Sequence, residues 1–416
     1  MKKTWYLILG TVWFFQLTLW AWPKFEYDPH HPFLSTDFQK EINLLTQSEV
    51  TYGNHVELLI DALSSLTKKI ELAKSAQKTI FLSTMIFLTH LDPLMQEFCD
   101  ILIEKAKSGV SVYFIMDEAN SYVDSGIFKK LERNGIHIVY FNPLFGGSDP
   151  IPFSIRMHEK YMVVDGTQAV IGGQNMYDER YPFLPFEAMN WRDTDIYVEG
   201  PAAQQMANHF VDVWASITNQ TGPQKIEITP GELELDPQKR SSHLGEARYL
   251  YNEPYTGNKW INAYYLKLIR QAQHHIIWAA NQVVLTEEFE IALKEAANRG
   301  VKVLLMTNSW STAWWQPVWY QYFFWTGYRP FFGSNVELRL YQSRFNHSKI
   351  LYVDGVVTSI GSFNHDYMSL QNDAESTVVS YDRDFNEKVL KQLVMDLEDT
   401  SGPGFWAWLF QLFSRN

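Results

Sequence analysis

The same stretch of sequence occurs twice in this chain. His158-Glu159-Lys160 runs through Tyr161–Val164 to Asp165-Gly166 and on to Gly172-Gly173-Gln174-Asn175. His347-Ser348-Lys349 runs through Ile350–Val353 to Asp354-Gly355 and on to Gly361-Ser362-Phe363-Asn364. The second His, Lys, Asp and Asn each lie 189 positions after their counterparts. A duplicated unit folds the same way twice, so this repeat outranks any local propensity. Two more matches precede it. Residues 73–80 (AKSAQKTI) resemble 269–276 (IRQAQHHI), and 106–118 (AKSGVSVYFIMDE) resemble 297–309 (ANRGVKVLLMTNS). In the latter pair a helix stops at Gly109 or Gly300, and a β-rich run follows at once. The order helix, strand, helix, strand, segment, strand predicts an α/β layered sandwich with a mixed central sheet, present twice. The first copy is expected over residues 51–217 and the second over 246–396. A linker rich in Pro, Gly and charge, 218–245, joins them.

Composition narrows what such a chain binds. It has 35 Lys plus Arg against 47 Asp plus Glu, a formal charge of −12. Nucleic-acid binding is driven by phosphate neutralisation, so nucleic acid is not an expected partner. A single cysteine, Cys99, excludes an intrachain disulfide and a cysteine-based zinc cluster. At the N-terminus Lys2 and Lys3 precede an apolar run that ends near Ala21. Residues 1–22 therefore read as a signal peptide or membrane anchor that sends the body across a membrane.

The duplicated segments carry chemistry. Residues two apart on a strand share a face, so His158 points with Lys160 and His347 with Lys349. Asp-Gly between apolar runs is a hairpin signal, which makes Asp165 and Asp354 turn or framework residues. A turn holding only Asp-Gly sets His158 opposite Gly173 and His347 opposite Ser362, with Asn175 and Asn364 two residues along. Small residues flanked by histidine, lysine and amide donors leave room for a phosphate. Lysine is a poor zinc ligand, so no metal is expected; the adjacent pairs His30-His31 and His274-His275 read as incidental. Asp193 and Glu375 each open the strand that follows a motif, and both are candidates to orient a histidine. Glu187 is a lesser candidate. The spacing does not say which acid serves which histidine.

The two segments resemble the His-x-Lys-x4-Asp motifs of the phospholipase D superfamily, in particular those of bacterial cardiolipin synthases. Trp191-Arg192-Asp193 and Glu199-Gly200-Pro201 also resemble stretches of that family. The resemblance implies two α/β/α domains meeting across a pseudo-two-fold axis, with both motifs in one active site of a monomeric unit. Its catalytic set is then His158, Lys160, Asp165, His347, Lys349 and Asp354. Asn175, Asn364, Gly173, Ser362, Asp193 and Glu375 support it, without metal or cofactor. One histidine, on this analogy His158, becomes a phosphohistidine, and the other serves as acid and base. The implied activity is phosphatidyl transfer from phosphatidylglycerol to a second lipid alcohol. Hydrolysis by a phospholipase D, or cleavage by a nuclease of the same superfamily, are the alternatives.

The halves differ in one insert. Of the 24 residues from 310 to 333, 12 are aromatic. Tryptophan and tyrosine favour membrane interfaces, so residues 310–332, with the aromatic tail 402–416, are expected to contact a membrane surface. The whole predicts an enzyme of the bacterial envelope, on the periplasmic side of the inner membrane.

Overall fold

The computed structural model describes residues 26–88, 93–118, 125–142, 154–177, 191–218, 222–228, 242–253, 256–313 and 327–403. The signal or anchor segment, Glu187, residues 314–326 of the aromatic insert and most of the aromatic tail lie outside them. No helix of the described residues is long and apolar enough to cross a membrane.

Two sheets repeat one plan. The first half supplies β1 (His55–Ile60), β2 (Thr79–Thr84), β3 (Ser111–Asp117), β4 (His137–Phe141), β5 (Tyr161–Val164), β6 (Gln168–Gly172) and β7 (Thr194–Glu199), in the spatial order β1-β7-β6-β5-β2-β3-β4. The second half supplies β8 (Ala247–Glu253), β9 (Asn258–Lys259), β10 (His275–Ala279), β11 (Lys302–Asn308), β12 (Glu337–Tyr341), β13 (Ile350–Val353), β14 (Val357–Gly361), β15 (Glu375–Ser380) and β16 (Thr400–Ser401). Their order, β9-β8-β15-β14-β13-β10-β11-β12-β16, is the first sheet's order with one short strand added at each edge. In both, three neighbouring strands run parallel, β2, β3 and β4 in one and β10, β11 and β12 in the other, and the motif hairpin pairs antiparallel. The mixed sheet and its duplication are those expected from the repeat. Gly109 and Gly300 close their helices at φ +98 and +95, which only glycine adopts without strain.

The helices are α1 (Thr36–Thr46), α2 (Asp61–Ser75), α3 (Pro93–Lys107), α4 (Ser125–Arg133), α5 (Pro201–Thr218), α6 (Trp260–Gln271), α7 (Glu287–Asn298), α8 (Tyr367–Gln371) and α9 (Arg383–Glu398). Their apolar faces sort into three buried clusters. Residues of α2, α3 and α4 cover one face of the first sheet. Residues of α6 and α7, with Phe33, Phe38 and Ile42 from the N-terminal segment, cover the second sheet. Side chains of α5 and α9 form a third cluster with strand residues of both sheets, such as Ile171 and Ile360, and so weld the halves together.

Two expectations need correction. The hairpin pairs Val164 with Gln168 and Val353 with Val357, so each loop holds one residue more than Asp-Gly. Asp165 and Gly166 have φ 51 and 72, as a tight turn requires, and Thr167 is the extra residue. This one-residue shift removes Gly173 and Ser362 from the places opposite their own histidines. In addition, Tyr328 and Phe331 of the aromatic insert are buried in the second half's core. They belong to packing; Trp310, in contrast, is 67% exposed.

Candidate active site

The strand ends that carry the motifs cross from one half to the other. The His158 N–H donates to the Ala374 carbonyl, and the Ala374 N–H donates to the Arg156 carbonyl. The His347 N–H donates to the Arg192 carbonyl, and the Arg192 N–H donates to the Phe345 carbonyl. Each motif is thus sewn by backbone to the strand entry of the other half. A side chain supports each crossing from below. Asp117 accepts the Met157 N–H at 3.0 Å, and the equivalent Asn308 accepts the Asn346 N–H at 2.6 Å.

This crossing decides which acid meets which histidine. His158 Nδ1 lies 2.7 Å from Glu375 Oε1, and His347 Nδ1 lies 2.7 Å from Asp193 Oδ2. Each acid comes from the opposite half. Glu375 is fully buried and also accepts the hydroxyls of Ser362 and Ser369. Ser362 therefore serves the first half's histidine from within the second. Gly173 shows the same exchange: a Cβ there would come within 2.0 Å of Asp193 Oδ1 and 2.7 Å of the His347 carbonyl. Glycine is needed because the other half packs against its backbone.

Electrostatics follows from burial. His158, Lys160, His347 and Lys349 are all less than a tenth exposed. Burial pushes both imidazoles below their ordinary value, His347 strongly, with the two lysines adding repulsion. Both rings are therefore neutral near pH 7. Burial and the neighbouring Lys349 lower Lys160 to about 7 although Glu375 opposes them. Glu375 is held below its ordinary value by His158, Lys160 and Ser362 despite burial, and stays ionised. Burial raises Asp193 to about 6. The two lysines thus crowd one small volume, the arrangement that an incoming oxyanion relieves.

The remaining expected residues separate. Asp165 accepts the N–H groups of Gln77, Lys78 and Thr79, and Asp354 those of Gln273, His274 and His275. Both aspartates are framework, at the far end of their strands from the histidines, as the turn reading has it. Asp354 also binds His31 Nε2 at 3.1 Å; His31 is 1% exposed and straps the N-terminal segment to the second half. Reading the His30-His31 pair as incidental missed this. Asn175 and Asn364 are buried beside the motifs. Asn175 Oδ1 accepts the Ile86 N–H at 3.3 Å, whereas Asn364 Oδ1 has no hydrogen-bond partner among the described residues. Glu159 faces away from His158, as strand alternation demands, and binds His209 Nε2 at 2.8 Å.

Two residues that the sequence reading named only as part of the Trp-Arg-Asp resemblance have roles of their own. Arg192, 2% exposed, grips Asp396 with Nε at 2.9 Å and Nη2 at 2.7 Å. It locks α9 beneath the crossing. Trp191 packs on His347, ring centres 5.1 Å apart. Arginine beside an acid in Trp-Arg-Asp was the signal available for the first.

Two histidine–acid pairs and two lysines, assembled from duplicated α/β/α halves, define the class of the phospholipase D-type phosphodiester enzymes. The sequence agrees. The model of the family described as "Cardiolipin synthase, PLD-like domain" matches residues 70–214 and 265–397, and the chain belongs to that family. Cardiolipin synthase A of Pseudomonas syringae is 28% identical over 347 residues, covering 83% of this chain and 68% of that protein. Cardiolipin synthase 2 of Bacillus anthracis is 28% identical over 377 residues, covering 88% of this chain and 66% of its own length. The chain thus spans about two thirds of the relatives it matches. Among solved structures, phosphatidylserine synthase of Haemophilus influenzae superposes with a TM-score of 0.64 at 14% identity, covering 88% of this chain and 92% of that one. It is a likeness of fold.

Proposed function

We propose that this protein transfers a phosphatidyl group between lipid alcohols in the manner of a cardiolipin synthase, through a phosphohistidine. The observation that carries the reading is the crossed pairing of His158 with Glu375 and His347 with Asp193 beside two buried lysines. The relatives named cardiolipin synthase support the substrate class. His158 Nε2 attacks phosphorus while Glu375 holds Nδ1–H. The P–O bond to the leaving alcohol breaks, and that oxygen takes a proton from the His347–Asp193 pair, which the charge of the bound phosphodiester has drawn into its protonated form. A hydroxyl of the acceptor lipid then gives its proton back to His347 and attacks phosphorus, freeing His158. Lys160 and Lys349 neutralise the non-bridging oxygens, which gain charge in both steps. General acid–base catalysis supplies about 10²–10⁴-fold of the rate.

The exposed Trp310 and the aromatic run that follows it support docking to a membrane surface at the periplasmic face of a bacterial envelope. Incubation of the purified protein with labelled phosphatidylglycerol vesicles tests the activity. Cardiolipin plus glycerol is the expected product pair. Phosphatidic acid as sole product would assign hydrolysis instead, and no turnover would refute the reading. Replacing Trp310, Trp314, Trp315 and Trp319 by Ser should weaken vesicle sedimentation more than it slows a soluble short-chain substrate.

A further inference from the structure

The two halves share the histidine and the lysine at the crossing but differ around them, and one of the differences places a second carboxyl in the site. β6 pairs Gly172 with Asp195, and β14 pairs Gly361 with Thr377, so Asp193 and Glu375 are equivalent. Two residues earlier, Trp191 of the first half corresponds to Asp373 of the second. Trp191 gives His347 an aromatic wall. Asp373, 6% exposed, gives His158 a second carboxyl: oxygens of Asp373 and Glu375 and a ring nitrogen of His158 lie within 4.8 Å of one another.

We propose that Asp373 is a further catalytic residue, a hydrogen-bond donor to a non-bridging oxygen of the phosphoryl group carried on His158. The inference rests on the phosphatidyl-transfer reading above. A donor role requires the carboxyl to keep its proton, and its surroundings enforce this. From its own segment it faces Glu375 and Asp366, both acidic; from the first half it faces Lys160 and His158. Glu375 is committed to the ionised state by His158 and Lys160. Two carboxylates this close in a dry site do not both ionise. Asp373 Oδ1 already accepts the Arg156 N–H at 3.2 Å, which anchors one oxygen and leaves the protonated one for a ligand. Burial and the Glu375 charge accordingly push Asp373 well above the ordinary carboxylate range. An ionised Asp373 would repel the anionic phosphodiester that the lysines attract.

The test compares wild type with Asp373→Leu and Asp373→Asn, each checked for an unchanged melting curve. Asp373→Leu should lower kcat/KM for phosphatidylglycerol by about 10- to 100-fold, the worth of one hydrogen bond to a charged group. The amide of Asp373→Asn can donate without titrating, so it should restore most of that loss. Its ratio to wild type should rise with pH as the native carboxyl ionises. Asparagine no better than leucine would show that the residue acts as an ionised base and would overturn the proposal, as would a leucine variant of full activity. Independently of turnover, the infrared difference between wild type and Asp373→Asn should contain a protonated-carboxyl C=O band; its absence overturns the proposal. The band present in a protein that turns over no phospholipid would instead refute the functional reading and leave the protonated Asp373 standing.

Discussion

Glu375→Gln removes one charge from the site and almost nothing else. Glutamine has the shape of glutamate, and its Oε1 can still accept His158 Nδ1–H, now 2.7 Å from Glu375. The new NH2 replaces the oxygen that accepts the Ser362 hydroxyl. Ser362 can turn its proton to the Ser376 carbonyl at 3.3 Å, so no donor is stranded. On the proposed mechanism, the loss therefore falls on the step in which the imidazole becomes cationic by attacking phosphorus. Charge centres about 4 Å apart at an effective dielectric constant of about 20 attract by about 4 kcal/mol. Divided by 1.36 kcal/mol per decade, that is about a thousandfold in kcat. Single-turnover kinetics with labelled phosphatidylglycerol, read beside a thermal melt, measures it. A loss under about tenfold would refute the argument that Glu375 stabilises the charged His158. So would a thousandfold loss accompanied by collapse of the melting transition, since that would make the residue structural.

Three further outcomes are expected. Arg192→Met leaves Asp396 buried without its clamp and should cost about 3–5 kcal/mol in urea denaturation; a cost below about 1 kcal/mol would show that α9 is held otherwise. Lys160, lowered to about 7 by burial and Lys349, is largely neutral at pH 8, and a bound oxyanion restores its charge. Sulfate binding should then take up nearly one proton at about pH 8 and almost none at about pH 6, read as the buffer dependence of the calorimetric heat; no such dependence would refute the lysine's role. Burial lowers His275 to about 4 from 6.5, so the folded state binds fewer protons than the unfolded one between those values. Stability should fall as pH drops through that window, by up to about 3 kcal/mol from this group, and His275→Gln should flatten the slope.

The sequence revealed whatever repeats or alternates. The 189-residue offset exposed the duplication, and strand parity put each histidine beside its lysine and turned Glu159 away. Asp193 and Glu375 were found because each opens a strand after a motif. Their partners were not legible, because no local spacing relates residue 158 to residue 375; only the crossing of the halves does. The hairpin register failed by one residue because Asp-Gly looks the same in a two- and a three-residue loop. Composition alone could not divide the aromatic insert: Tyr328 and Phe331 are as aromatic as Trp310, yet they fill the core. The role of His31 was illegible for the reason the acid–histidine pairing was, since its partner Asp354 lies 323 residues away.

The exchange of acids between halves sets a condition on when this chemistry can begin. A chain still on the ribosome after Thr218 owns His158 and Asp193, yet neither has its partner. His347 comes much later, and Glu375 28 residues later still. Synthesis of the second motif and docking of the two halves therefore precede any assembled pair. A product that stops short of Glu375 carries His158 without its acid, so, on the proposed function, an interrupted synthesis leaves behind no agent able to attack the lipids of its own cell.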